Sequence, residues 1–399
     1  MGKCHYPTID VNDITAIENA VKDGWFTHGK RCDEFERSMA RYHGLKYGLF
    51  VSSGSSASLL AVSTLTSWKL GEKRLKPDDE VITSALSFPT TVAPIVQNGL
   101  TPIFIDVDKK TCNVTAEKIQ KTISARTKAV VIANTLGNPI DPEIRNVCDK
   151  NGLWLVEDNC DGLGGEVSGK KTGTIGHLST LSFYPAHHIT TGEGGMVLTN
   201  DRKLSDIAHS IRNWGRDCIC QGGQDGVCNK RFSGKHGNMP EGYDHKYIFS
   251  HLGYNLKNTE IAAAMGLSQM NKLEDFIKRR KNNWIRYYTR IGDVLGTMSA
   301  TEGSNPSWFG YLVICRSIEQ RNDMVSLLEK NEIQTRMLFA GNILRQPCFT
   351  NGHHWFRVAD TFCVSNDLTD KAFWLGVAPS VTEEQIDKTC DLIIGMVAQ

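Results

Sequence analysis

The sequence predicts an α/β fold with a mostly parallel central sheet, helices on both faces of it and a smaller C-terminal α/β unit. Two observations carry this. Short, continuously apolar runs recur about one βα unit apart through the first two-thirds of the chain, with amphipathic stretches between them. The runs also lack the alternation of a half-exposed strand, so each strand is expected to be covered on both faces.

In chain order, strands are expected at 81–83, 102–106, 129–133, 153–157, 180–183 and 195–199. Helices are expected at 56–68, 90–97, 115–123 and 142–150. Residues 259–290 read as one or two long helices beginning at Ile261-Ala-Ala-Ala-Met265. An apolar run at 309–314 and a helix near 322–330 then open the smaller unit. This gives a large domain over 1–258 and a helical connection plus small domain over 259–399. Residues 216–242 break the pattern, with six glycines, three cysteines and charges of both signs. A loop of that length inside a compact domain is often functional.

Composition narrows the class. Apolar residues form 40% of the 399-residue chain and charged residues 22%, enough to bury a core and too apolar for intrinsic disorder. The 45 basic and 44 acidic side chains nearly cancel, so nothing suggests an electrostatic nucleic-acid binder. No window approaches the ~20 apolar residues of a membrane span, and the N-terminus lacks the apolar core of a signal peptide. A cytoplasmic protein with no membrane partner is expected. Its twelve cysteines then read as thiols rather than a disulfide framework.

Four features carry chemistry. In Val51-Ser-Ser-Gly-Ser-Ser-Ala57 a strand ends, small residues turn the chain and a helix begins. That is either a phosphate site, with the Ser55 and Ser56 hydroxyls, or an ordinary helix cap. Asp158 closes the apolar strand Leu155-Val-Glu-Asp158 and faces the ligand crevice of an open sheet. There it could pair with a pyridine nitrogen or simply cap a helix. Ser182-Phe-Tyr-Pro-Ala-His-His-Ile-Thr-Thr-Gly-Glu-Gly-Gly195 places two adjacent histidines in one segment. Extended neighbours point to opposite sides, so only one can reach a given site. Finally, Cys160, Cys218, Cys220 and Cys228 form a quartet suited to an iron–sulfur cluster or zinc, or are four unrelated thiols.

The order of these features resembles the sugar-aminotransferase family of pyridoxal-phosphate enzymes, fold type I. Trp25-Phe-Thr-His-Gly29, Ser87-Phe-Pro89, Thr135-Leu-Gly-Asn-Pro139 and Gly253-Tyr-Asn-Leu-Lys-Asn-Thr259 extend the resemblance over nearly the whole chain. In that family a lysine before Asn-Ile-Thr-Thr-Gly binds the cofactor covalently. Here that position holds His187, and no lysine lies between Lys171 and Lys203. A histidine cannot make that bond. The substitution resembles the nucleotide-sugar 3-dehydrases, which hold pyridoxamine phosphate noncovalently and remove the C3 hydroxyl of a 4-keto-6-deoxy sugar. Imidazole, with an ordinary pKa of ~6.5, can move the proton. The cysteine spacing is similar to that of the iron–sulfur members acting on CDP- or dTDP-sugars in 3,6-dideoxyhexose biosynthesis.

The resemblance implies the remaining roles. His187 is the base and Asp158 the partner of the pyridine nitrogen. Phe88 stacks on the ring, and Asp161 holds a position where the family often has a cofactor-contacting glutamine. Ser55, Ser56 and Ser182 bind the phosphate, and Asn255 reaches the phosphate of a neighbouring subunit, which implies a homodimer. His28, Arg212, Arg336 and Asn342 are candidates for the nucleotide-diphospho-sugar. Cys160, Cys218, Cys220 and Cys228 hold a [2Fe–2S] cluster that relays electrons from an NAD(P)H-dependent iron–sulfur flavin reductase. If the backbone stays extended past Asp158, the Cα of Cys160 lies roughly 7 Å from it, so cluster and cofactor are expected to be near neighbours. The competing readings are a cluster-free His-type 3-dehydrase that regenerates its cofactor with glutamate, an ordinary sugar aminotransferase, and a zinc-stapled, non-catalytic binding protein.

Overall fold

The structure, a computed structural model, describes residues 7–220, 226, 229, 231–352 and 354–398. The apolar runs form β1 (Tyr47–Val51), β2 (Glu80–Ser84), β3 (Thr101–Ile105), β4 (Thr127–Ala133), β5 (Trp154–Asp158), β6 (Leu178–Ser182) and β7 (Gly195–Thr199). Every residue of β2, β6 and β7 is buried, as expected of strands covered on both faces. The sheet order is β1-β7-β6-β5-β4-β2-β3, and the two-residue strand Arg357–Val358 pairs with β3. Strands β2 to β6 are parallel, whereas β7 runs antiparallel to β6 and β1. The carboxyl ends of β4, β5 and β6 therefore open on one edge.

The helix Gly54–Leu65 returns across the sheet and packs against β6, β7 and the helices Pro89–Gln97 and Arg202–Arg212. Covered from several sides, it is apolar nearly all round: Ala57, Leu60, Ala61, Val62 and Leu65 are each at most 1% exposed. The region 259–290 resolves into two helices, Glu260–Met270 and Leu273–Ile291. The first packs on the N-terminal helices Val11–Lys22 and Lys30–Tyr42. Its first residue has a capping role there. Gly29, the cap of Lys30–Tyr42, has no side chain to accept the free N–H groups, and the Glu260 carboxylate accepts those of Arg31 (3.0 Å) and Cys32 (2.9 Å) instead.

Toward the C-terminus, Gly310–Ile314, Ala372–Gly376 and Thr335–Met337 form an antiparallel three-stranded sheet with Ala372–Gly376 in the middle. One apolar cluster joins this sheet to the large one, and the Phe309 N–H donates to the Leu136 carbonyl (2.9 Å). Side chains next to the small sheet thereby reach the carboxyl edge of β4. Among the described residues no helix is long and apolar enough to cross a membrane.

Burial gives one pH prediction. His43 closes the helix Lys30–Tyr42, 6% exposed, with Nδ1 2.9 Å from the Met39 carbonyl oxygen. Burial drives its imidazole down from 6.5 to about 4. The unfolded chain then takes up a proton below pH 6.5 that the folded chain refuses until about 4. Stability from this group is present above 6.5 and declines as pH falls, by about 2 kcal/mol at pH 5. Urea unfolding at pH 7.5 and pH 5 should show that His43→Gln loses less stability over the interval than the parent chain by that amount. An equal loss in both would mean the imidazole is not held neutral.

Candidate active site

A cavity of about 540 Å³ opens at the carboxyl edge of β4, β5 and β6. Its far walls are the start of the helix Gly54–Leu65, Phe88 and side chains beside the small sheet, including Phe309, Arg336 and Trp374.

Side chains of β5 alternate. Glu157, fully buried, accepts from Asn134 Nδ2 (2.9 Å) and from the N–H groups of Gly173, Ile175 and Gly176. Asp158 points the other way, into the cavity, and is 8% exposed. Its Oδ2 accepts from Thr91 Oγ1 (2.6 Å), and its Oδ1 accepts from Thr180 Oγ1 (3.2 Å) and the Cys160 N–H (3.2 Å). These donors come from the helix Pro89–Gln97, from β6 and from the next turn, so the carboxylate is fixed from three elements. The last bond also corrects an expectation. The chain turns at Cys160 rather than continuing extended, although its side chain still lines the cavity.

Asp161 lies in the same wall. Burial pushes its carboxyl well above the usual range, the neighbouring Asp158 adds to this, and Arg280 opposes it. Burial and Asp158 likewise push the Cys160 thiol well up. His187 Nδ1 is 3.6 Å from Asp161 Oδ1, and its ring packs on Phe309 with centroids 4.9 Å apart. The next residue faces away. His188 is 2% exposed, with Nε2 3.0 Å from the Ser307 carbonyl oxygen, and burial depresses its pKa strongly.

At the other end of the cavity Ser53 caps the helix Gly54–Leu65 by accepting from the Ser56 N–H (3.0 Å). Ser55 lines the cavity and donates to Thr90 Oγ1 (3.1 Å). The Ser56 hydroxyl lies 2.9 Å from both Ser52 Oγ and Ser53 Oγ, within the turn rather than in the wall. Ser182 lines the cavity at the end of β6. A Cβ on Gly54 would sit 2.6 Å from Ser182 Cβ and 3.2 Å from Cys160 Sγ. Only glycine lets the helix start come this close.

The remaining expected residues are dispersed. Phe88 is 51% exposed and Arg336 lines the cavity, its Nη1 donating to the Thr335 carbonyl (2.7 Å). Arg212 is 1% exposed and donates to Glu36 Oε1 (2.5 Å) and the Phe50 carbonyl (2.9 Å), away from the cavity. His28, also 1% exposed, sits on Asp33 Oδ1 (3.0 Å). Asn342 caps the short turn Ile343–Arg345 and bonds Asn366. Asn255 is exposed outside this cavity and accepts from Lys257 Nζ (2.7 Å). Thr91, Thr180, Tyr184, Phe309 and Arg280 belong to the site without having been expected. Thr180 could have been found from register, since it pairs with Asp158 across β5 and β6. Arg280 and Phe309 carry no local signal.

Of the cysteine quartet, Cys160, Cys218 and Cys220 are described and Cys228 lies outside the described residues. Cys218 and Cys220 are buried, with the Cys220 N–H 3.4 Å from Cys218 Sγ. They follow Asp217, whose carboxylate is held by Lys69 Nζ (2.9 Å), just beyond the C-terminal end of the helix Gly54–Leu65. Cys160 stands near the other end of that helix, its Sγ 3.2 Å from where a Cβ on Gly54 would lie. Among the described residues the one trio of possible ligands within 4.8 Å of one another is His28, Asp33 and Glu36, where the Arg212 guanidinium already supplies the positive charge. Cys160, Cys218 and Cys220 do not form such a trio.

The fold is that of the pyridoxal-phosphate-dependent enzymes of fold type I. The model of the DegT/DnrJ/EryC1/StrS aminotransferase family matches residues 7–394, and the chain belongs to that family. Among its relatives is dTDP-4-dehydro-2,6-dideoxy-D-glucose 3-dehydratase of Saccharopolyspora spinosa, 46% identical over 98% of this chain and 85% of that protein. The lipopolysaccharide biosynthesis protein RfbH of Salmonella typhimurium is 46% identical over 95% of this chain and 88% of its own length. A GDP-4-keto-6-deoxy-D-mannose 3-dehydratase of Yersinia pseudotuberculosis is 33% identical over 85% of this chain and 84% of that protein. Among solved structures, the Escherichia coli GDP-4-keto-6-deoxy-D-mannose 3-dehydratase with bound hydrated pyridoxal phosphate superposes with a TM-score of 0.88, at 28% identity, over 98% of this chain and 99% of that one.

Proposed function

We propose that this chain is a nucleotide-sugar 3-dehydratase that removes the C3 hydroxyl of a 4-keto-6-deoxyhexose with a noncovalently held pyridoxamine phosphate. One observation carries the reading: an imidazole, His187, stands in the cavity wall beside Asp161, and no lysine lines that cavity among the described residues. The relatives named 3-dehydratases support it.

The residues fit the cofactor. The start of the helix Gly54–Leu65, with Ser55 and Ser182, offers N–H groups and hydroxyls to a phosphate, and the bare Gly54 lets Ser182 come up against that helix start. Asp158, held by Thr91 and Thr180, would take the pyridine nitrogen, and the exposed Phe88 ring would cover the pyridine face. Ser56 acts on the phosphate through the turn it holds together. Asn255 serves the site of a second copy in a homodimer. Bound there, pyridoxamine phosphate supplies an amine for the sugar ketone and a ring that accepts an electron pair. His187 moves the proton, its imidazole taking it from the cofactor's methylene carbon. Arg336 lies where it can meet the charged part of the substrate.

For the electrons, the finer reading is a [2Fe–2S] cluster fed by the flavin reductase. It rests on the thiol of Cys160 in the cavity wall and the three cysteines between 218 and 228. The cluster-free, glutamate-dependent route is the second reading, supported by the solved GDP-4-keto-6-deoxymannose 3-dehydratase with a trapped pyridoxal phosphate–glutamate geminal diamine. Anaerobic purification with iron and sulfide analysis decides between them. Iron that is lost in Cys218→Ser, while pyridoxamine phosphate still binds, supports the reductive route. An iron-free protein that turns over with glutamate supports the other. The cofactor assignment itself is tested by gel filtration and denaturing mass spectrometry, which should show bound pyridoxamine phosphate and no covalent adduct.

A further inference from the structure

We propose that Arg280 is a positioning residue for His187, holding the base against its aromatic wall; this rests on the proposed role of His187. Arg280 lies on the helix Leu273–Ile291 and is 2% exposed. A guanidinium so deeply buried is costly unless its donors are used. Here Nη2 donates to the carbonyls of Ala186 (3.0 Å) and His187 (2.9 Å), and Nη1 donates to that of Phe309 (3.3 Å). The first two carbonyls belong to the turn that carries the imidazole. The third belongs to the residue whose ring packs on that imidazole. One planar cation thus ties both walls of the slot in which the base sits. Lysine could not reproduce this, because it offers a point charge rather than a fork.

Among the described residues, the charged and titratable groups facing His187 include Asp161 at 3.6 Å, Arg280 behind its peptide and His188 beside it, with Asp158 coupled through Asp161. Arg280 pulls Asp161 down and depresses His188, so its charge reaches this group of residues. Removing the cation should let the His187 imidazole protonate more readily, moving its midpoint to higher pH.

The test uses the full chain with bound pyridoxamine phosphate. In Arg280→Gln, affinity for pyridoxamine phosphate should stay within about 3-fold, while single-turnover deoxygenation should fall about 100-fold, the usual cost of misplacing a reacting group by ~1 Å. Nitrogen-15 NMR of labelled histidines should show the His187 midpoint moved up and that of His177, remote from the cavity, unmoved. Arg280→Lys should fall between Arg280→Gln and the parent chain, and it serves alone if Arg280→Gln does not fold. A folded variant with unchanged turnover and an unchanged His187 titration overturns the proposal. If the parent chain performs no deoxygenation, the functional reading fails, yet the titration arm still decides whether Arg280 sets the state of His187.

Discussion

His187→Lys is expected to capture pyridoxal phosphate covalently and to lose C3 deoxygenation. The backbone at 187 is held whatever the side chain is: its N–H donates to the Tyr184 carbonyl (2.9 Å) and its carbonyl accepts from Arg280. A lysine there projects into the same cavity and carries the amine that the family's chemistry uses. Borohydride reduction and denaturing mass spectrometry should show one phosphopyridoxyl group in the variant and none in the parent chain. Losing the imidazole should cost about 10²- to 10⁴-fold in single-turnover deoxygenation, the usual worth of a positioned general base. His187→Asn should lose the same rate and capture nothing, which separates loss of the base from gain of the amine. His188→Asn should do neither, since His188 faces Ser307. Undiminished deoxygenation in His187→Lys would remove the base assignment.

Asp158→Asn is the second large effect. The amide keeps the shape but not the charge, and its NH₂ can no longer accept from Thr91 or from Thr180 and Cys160, depending on its orientation. The pyridine nitrogen then loses its anionic partner. Deoxygenation should fall about 10²- to 10³-fold, comparable to deleting one preorganised electrostatic contact. Removing that negative charge should also relieve Cys160 and Asp161, because Asp158 helps hold both groups up. Peptide mapping after alkylation at fixed pH should find Cys160 modified faster in Asp158→Asn than in the parent chain. A variant with normal turnover and unchanged Cys160 reactivity would place Asp158 outside the chemistry.

Much of this site was legible because its parts are local in sequence. The covered strands announce a parallel sheet, an acid closing β5 must face the crevice, and adjacent histidines must diverge, as His187 and His188 do. What was not legible depends on residues far apart in the chain. Thr91 reaches Asp158 across 67 positions, and Arg280 reaches His187 across 93. Arg212 shows why a lone arginine is hard to read. Its sequence context suits a substrate contact, yet it is buried against Glu36, a partner 176 positions away. For the cysteines, spacing places Cys218 and Cys220 near each other, as the 3.4 Å from the Cys220 N–H to Cys218 Sγ bears out, but says nothing of their distance from Cys160.

The central claim is that an imidazole, in the place of a covalent lysine, lets this fold remove an oxygen from a sugar. The direct measurement is mass spectrometry of CDP-, dTDP- and GDP-4-keto-6-deoxyhexoses after incubation with the protein and stoichiometric pyridoxamine phosphate, which supplies the two electrons by becoming pyridoxal phosphate and ammonia, in parallel with a second arm that adds NADH and an iron–sulfur flavin reductase. One of the sugars should emerge lighter by a single oxygen, lost from C3. If instead the sugar gains an amino group at C4 and keeps its C3 hydroxyl, the protein is an aminotransferase and the role given to His187 is wrong.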